Sequence, residues 1–223
     1  MEKIICIDGT AASGKSTISA KLAQALDWQW VSTGAFYRAI AYLVLSKHQE
    51  TDLDDEDFLV QLIQKKEWEI RLSELYTLIF VDGKDVSQVA YGETYGSAAS
   101  RLSRHPEVRK LIVLEQRKAH SGQGLVAEGR DCGDVIFPQA PLKFFVNASA
   151  EVRAKRRAAQ LGVDYEQISE EQKKRDYQDT HRASAPLKSS KESVLIETDQ
   201  FSLDEIISLM VKEAQNRFDF TPE

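Results

Sequence analysis

Apolar residues recur along this chain in two rhythms. Short runs at Lys3–Asp8, Gln29–Ser32, Gly124–Glu128, Leu142–Val146 and Val194–Glu197 have the length and composition of strands buried on both faces. Between them, apolar positions fall three and four apart, the rhythm of a helix with one buried face. Behind Lys15 these positions are Ile18, Leu22, Ala25 and Leu26. Further helices are predicted at Ala35–Leu45, 51–66, Glu93–Ser103 and, after Pro106, Glu107–His120. The third opens with Asp52–Asp57, acidic residues that suit a helix N-terminus and a solvated face. Strands alternating with helices predict an α/β fold with a mostly parallel sheet. From Trp68 to about Val89 the rhythm changes. Glu67–Leu72 alternates and Tyr76–Val81 is rich in β-formers. Asp82-Gly83 then reads as a hairpin turn, which predicts a small antiparallel insert. Asp82 could also close a magnesium-binding strand. The hairpin is preferred because Asp-Gly sits between two short strand patterns.

Length and composition narrow the class. The chain has 223 residues, 42% hydrophobic and 29% charged, enough for one substantial core with a small subdomain. No apolar run reaches the length of a membrane span, and Met1–Asp8 has no secretory-signal pattern. Two cysteines, Cys6 and Cys132, and four scattered histidines form neither a disulfide framework nor a zinc site, so a reducing cytoplasm is expected. A net charge of −6 argues against a nucleic-acid surface. The basic residues are concentrated locally, which suits a small polyanion in a cleft.

The strongest chemical signal lies between the first strand and the first helix. Gly9-Thr10-Ala11-Ala12-Ser13-Gly14-Lys15-Ser16 matches the phosphate-loop pattern, in the strand–loop–helix context it requires. Glycines let the backbone wrap a phosphate, and loop N–H groups with the helix N-terminus bind it. In such a loop Lys15 bridges the β- and γ-phosphates, the Ser16 hydroxyl ligates Mg²⁺, and Thr17 supports the α-phosphate. The bland alternative is an ordinary strand-to-helix turn. The loop alone specifies a nucleoside triphosphate, not its fate.

Other clusters suggest a second phosphate. Thr33 is a natural N-cap, and Arg38, one turn into that helix, could clamp an acceptor phosphate or be a surface arginine. Glu128-Gly129-Arg130-Asp131 ends a predicted parallel strand, where ligands of open α/β sheets gather; an ion pair at a turn is the plain reading. Ser149 can cap a helix carrying Arg153, Arg156 and Arg157 on one face. Arg175, Asp179 and Arg182 fall at i, i+4 and i+7 on a helix that ends before Pro186. Arginine clusters repel unless an anion joins them, although solvated faces with pairs such as Arg175–Asp179 would also account for them.

Read together, these segments resemble bacterial-type cytidylate kinases nearly end to end. The markers are Ile7-Asp8-Gly9 into the loop, Ser32 through Arg38, Ala98-Ala99-Ser100, Pro106-Glu107-Val108-Arg109, Gln116-Arg117, Gly129-Arg130-Asp131, Phe137-Pro138 through Ala148-Ser149, Arg156-Arg157, Arg175-Asp176 through Asp179 and Arg182, and Ala185-Pro186-Leu187. The resemblance implies a phosphate-loop nucleoside-kinase fold: a core of roughly 1–35, 121–150 and 184–223, a nucleoside-monophosphate insert of roughly 36–120, and a short lid of roughly 151–183. It implies transfer of the ATP γ-phosphoryl group to CMP or dCMP, with Mg²⁺, by a cytoplasmic monomer that binds neither nucleic acid nor membrane. Ser100, Arg109 and Asp131 would read cytosine; Arg38 and Arg130 would hold the acceptor phosphate beside Thr33. Arg175 and Asp179 would contact ribose, Arg182 would reach the phosphates or base, and Arg153 and Arg157 would approach ATP. Lys15, Arg130 and Arg182 make the catalytic set.

Cytosine chemistry agrees with that assignment. An aspartate can accept the N4 amino donor and an arginine can feed N3 and O2, whereas uracil would turn a carbonyl to the same aspartate. The chain departs from the family's usual pattern at Thr10 (often proline), Ala12 (often glycine), Glu128 (aspartate in some members) and Asp134 (often threonine). The alternatives are a kinase for UMP, AMP or a sugar acid, and a nucleotide switch. The switch lacks support, because the chain has no guanine-reading Asn-Lys-x-Asp motif.

Overall fold

The computed structural model describes residues 2–73, 76–120, 122, 124–166, 168–170, 173 and 192–218. The chain forms two compact units: 1–29 with 122–223, and 30–121.

The first unit is built on buried apolar runs. β1 (Ile4–Gly9) has Ile4 through Ile7 almost fully excluded from water. It lies between β6 (Leu125–Gly129) and β7 (Leu142–Asn147), parallel to both, with Ile5 opposite Val126 on one side and Leu142 on the other. β8 (Val194–Glu197) adds in parallel to β7; the five-stranded sheet has the order β2-β6-β1-β7-β8, and its edge strand β2 (Gln29–Ser32) begins at the last residue of the first unit's opening stretch. α1 (Lys15–Leu26) buries Ile18, Leu22 and Leu26, the positions its spacing predicted, and the final helix α8 (Leu203–Phe218) packs on it through Met210 and Ala214. Each such fully buried large side chain contributes roughly 1.5–3 kcal/mol. The edge of the Trp28 ring meets Phe218 at 5.1 Å between centroids. α7 (Ala150–Leu161) starts where Ser149 Oγ accepts the Val152 N–H at 3.3 Å, as expected of that serine, and stops at Gly162 in the left-handed region.

The second unit is a helical layer carrying an antiparallel sheet of β3 (Trp68–Leu72), β4 (Thr77–Val81) and β5 (Lys84–Asp85). Trp68 is buried while Glu69 and Arg71 are exposed, matching the alternation read for Glu67–Leu72, and Ile79 and Val81 are buried on β4. Asp82 and Gly83 have φ of 49° and 73°, so the β4–β5 loop is the two-residue turn that Asp-Gly predicts. The helices are α2 (Gly34–Lys47), α3 (Glu56–Gln64), α4 (Ser87–Ala90), α5 (Glu93–Leu102) and α6 (Pro106–Arg117).

One predicted helix is wrong. Residues 51–66 are not continuous: a 3₁₀ turn at Glu50–Asp54 is followed by α3. Asp55 breaks the run by taking an extended conformation, φ −92° and ψ 96°, and its carboxylate accepts the Phe58 N–H at 3.0 Å. An aspartate read as one of a solvated acidic row is thus the N-cap. No described helix is long and apolar enough to cross a membrane.

Candidate active site

The chemistry of the first unit gathers where β1 and β6 end. Gly9 is required by packing. A Cβ there would stand 2.0 Å from the Val146 carbonyl oxygen, because β7 runs against β1 at this register. The chain then turns through Ala12, at φ 57°, and Gly14, at φ 90°, into α1. Left-handed backbone is ordinary for glycine and costs an alanine about 1 kcal/mol, so the departure at Ala12 carries strain. The departure at Thr10 gains a contact: its hydroxyl lies 3.4 Å from Asn147 Oδ1, and the Asn147 amide donates to Glu197 at 3.3 Å.

Cationic side chains converge on the loop's carbonyls. Lys15 Nζ donates to Thr10 O at 2.9 Å and Arg130 to Gly9 O at 2.8 Å. Arg153, almost wholly buried, donates to Ala11 O at 3.2 Å and to Ala148 O at 3.0 Å. Arg156 reaches Ser13 O at 3.5 Å and is held by the Thr198 hydroxyl at 2.8 Å and carbonyl at 3.0 Å. With carbonyls turned to cations, the loop has the polarity of an anion-binding nest, and the basic side chains raise local positive potential. Helix spacing put Arg153, Arg156 and Arg157 on one face; Arg153 and Arg156 both reach the loop, and Arg157 lies half-buried on the same helix.

Ser16 Oγ donates to Glu128 Oε2 at 3.0 Å, and Glu128 is buried at the end of β6. The longer carboxylate therefore reaches the hydroxyl expected to bind magnesium. An alcohol beside a carboxylate suits a hard cation that keeps phosphate and water ligands, and among the described residues no cluster of three or more acidic, histidine or cysteine ligands offers an alternative.

Beyond β6 the chain passes Arg130 and Asp131 into a π-type turn, Cys132–Ile136. Asp8, at the end of β1, accepts the backbone N–H groups of Cys132 and Gly133 at 2.8 and 2.9 Å. Desolvation pushes its carboxyl up to about 6, against the lowering effect of these donors. Nothing local in the sequence singles out Asp8 for this, because its partners lie some 124 positions away. Across the start of α7, Asp199 accepts the Ser149 N–H at 2.9 Å, which holds its carboxyl below the usual range, with Arg156 and Arg153 adding to the effect.

The second unit holds Thr33, Arg38, Ser100 and Arg109. Thr33 occupies the N-cap position of α2, but its side chain makes no capping bond and its backbone is already helical; its carbonyl instead accepts from Gln116 Nε2 at 2.9 Å. Arg38 donates to the carbonyls of Ala90 and Gly92 at 2.8 and 2.9 Å and lies over the Tyr91 ring. A Cβ at Gly96 would press within 2.7 Å of that guanidinium. Ser100 and Arg109 are linked through Ser103, whose hydroxyl donates to Ser100 O at 2.8 Å and whose carbonyl accepts from Arg109 at 3.5 Å. Arg109 is only 5% exposed, on α6. Arg175, Asp179 and Arg182 lie outside the described residues.

The cytidylate kinase family profile matches residues 5–216. A cytidylate kinase of Bdellovibrio bacteriovorus is 42% identical over 218 residues, covering 97% of this chain and all of that one. A cytidylate kinase of a Geobacillus strain is 37% identical over 218 residues, with 96% of each chain covered. A crystal structure of an uncharacterized protein from Eubacterium ventriosum shares the fold at a TM-score of 0.51 and 16% identity, over 96% of this chain and 99% of that one. The chain belongs to the cytidylate kinase family.

Proposed function

We propose that this protein transfers the γ-phosphoryl group of ATP to CMP or dCMP, forming CDP or dCDP and ADP. The observation that carries this reading, beside the family, is the phosphate loop with Lys15, Arg130, Arg153 and Arg156 all directed onto it. A bond forms from a CMP phosphate oxygen to the γ-phosphorus as the bond from that phosphorus to the ADP oxygen breaks. The attacking group is already an oxyanion, so no general base is required. The protein's task is to align two phosphates and neutralise their charge.

ATP would lie on Gly9–Thr17, with Arg153 and Arg157 beside it. Ser16 would hold Mg²⁺, with Glu128 orienting the serine. When bound, the ion offsets charge on the β- and γ-phosphate oxygens. For the acceptor we assign Thr33, Arg38 and Arg130 to the phosphate, and Ser100, Arg109 and Asp131 to cytosine. Arg175 and Asp179 would take the ribose, and Arg182 the transferring group. The functional division we infer is a core, a monophosphate-binding insert of roughly 36–120 and a lid of roughly 151–183, whose closure would exclude water and so limit ATP hydrolysis. The reading includes a cytoplasmic monomer with no nucleic-acid or membrane partner.

A coupled ADP-release assay across CMP, dCMP, UMP, AMP and GMP tests it. Cytidine nucleotides should give the highest kcat/KM by at least ~10²-fold. Preference for another monophosphate would overturn the assignment.

A further inference from the structure

The Gly-Arg-Asp segment after β6 is short and ends in an irregular turn. Two side chains assigned to the acceptor, Arg130 and Asp131, leave the backbone there in succession, so their directions depend on how that backbone is fixed. On one side, Arg130 is tied to the Gly9 carbonyl at 2.8 Å. On the other, the turn's internal bonds run from Val135 and Ile136 N–H to the Asp131 carbonyl and from Phe137 N–H to Cys132 O. These bonds close the turn on itself but do not anchor it to the sheet. Asp8 anchors the turn to β1, one oxygen on Cys132 N at 2.8 Å and the other on Gly133 N at 2.9 Å.

We propose that Asp8 is a positioning residue for the acceptor nucleotide, its two carboxylate oxygens clamping the turn that aims Arg130 and Asp131. Three features support this. The clamp is bidentate, which fixes both position and orientation. Asp8 sits on β1 directly opposite Gly129 in the parallel register, so it ties the end of one strand to the chain leaving its neighbour. The Gly133 side of the clamp has no slack: a Cβ there would stand 3.0 Å from the Lys143 side chain and 3.5 Å from Asp8 Oδ2. The carboxyl is also held in a desolvated place, where a carboxylate without a task would be costly. Asp8 stands next to the phosphate loop in sequence, yet its bonds go to the acceptor side. It should therefore affect CMP more than ATP.

This inference rests on the assignment of Arg130 and Asp131 to the acceptor, and the test separates the two. Steady-state kinetics with CMP, UMP and ATP are compared for wild type, Asp8→Asn and Asp131→Ala. Asp8→Asn keeps the size but replaces one acceptor oxygen with an amide donor facing an N–H. It should raise the CMP KM by ~10-fold or more and lower the CMP-to-UMP ratio of kcat/KM, with the ATP KM changed by less than ~2-fold. A parallel rise in both KM values, or an unchanged CMP-to-UMP ratio while Asp131→Ala reduces it, would overturn the role of Asp8. If Asp131→Ala leaves the ratio unchanged, the acceptor assignment fails and this inference goes with it. Should Asp8→Asn not fold, amide exchange in the wild-type protein decides. Cys132 and Gly133 N–H groups that exchange about as slowly as those of β1 support the clamp, and unprotected ones overturn it.

Discussion

The two units hold their charged side chains by different means. In the first, arginines and a lysine rest on the backbone of one loop, at Gly9, Thr10, Ala11 and Ser13, reaching it from the end of β6, the start of α1 and one side of α7. In the second, Arg38 and Arg109 are held one by one, on the carbonyls of Ala90, Gly92 and Ser103, by helices that meet at corners. The first arrangement concentrates charge on one local motif. The second distributes it over α2 and α6, each side chain bonded to a different backbone segment. A substitution in the loop should therefore remove chemistry and spare the fold. One in the helical layer should alter substrate affinity and local order together.

Lys15→Ala is the sharpest break of that contrast. It removes the cation expected on the β- and γ-phosphates and should lower kcat by ~10³-fold. It should leave thermal stability close to wild type, since the Lys15 ammonium bonds to Thr10 O in the loop rather than within the apolar core. Near-normal kcat would sink the donor-site assignment. Arg38→Ala comes next. It should raise the CMP KM by ~10-fold to 10²-fold with the ATP KM unchanged. It should also loosen the α4–α5 corner, visible as faster amide exchange around Ala90 and Gly92. Arg38→Lys should not restore CMP affinity, because one ammonium cannot hold the two carbonyls that Arg38 Nη1 holds and also offer a phosphate the remaining donors of a guanidinium fork. Normal CMP affinity in Arg38→Ala with faster exchange would make Arg38 structural only. The smallest effect is expected from Ala12→Gly. Relieving the left-handed alanine, worth roughly 1–2 kcal/mol, is partly offset by roughly 0.5–1 kcal/mol of glycine entropy, so the protein should gain about 0.5 kcal/mol in a denaturant titration. A loss of stability would mean that the loop holds Ala12 without strain.

The same contrast decides what could be read from sequence. The phosphate loop is eight consecutive residues with strand and helix on either side, so local pattern sufficed. The sheet strands were visible as apolar runs and the hairpin as Asp82-Gly83, because period and turn chemistry are local properties. Asp55 was misread, because an aspartate in an acidic row gives no sign of which member will cap. Thr33 looked like a cap for the opposite reason: the residue type was right, but its backbone had already entered the helix. Arg156 was grouped correctly with its neighbours, yet only the packing of α7 showed that it reaches Ser13 and Thr198. Asp8 and Glu128 are pairings across more than a hundred positions, and periodicity carries no information about such partners. The departure at Thr10 was visible in sequence, but its bond to Asn147 was not.

The placement of β1 has a consequence measured in time. Its two neighbours in the sheet, β6 and β7, are encoded about 120 residues and more after it. At a synthesis rate of ~5–20 residues per second, the strand leaves the ribosome roughly 6–24 s before anything it can pair with. The intervening unit is one continuous stretch whose hairpin and helices contact near neighbours, so it can assemble during that wait. The apolar run Ile4-Ile5-Cys6-Ile7 therefore waits on the nascent chain for both of its sheet partners, and the phosphate loop attached to it acquires its shape late.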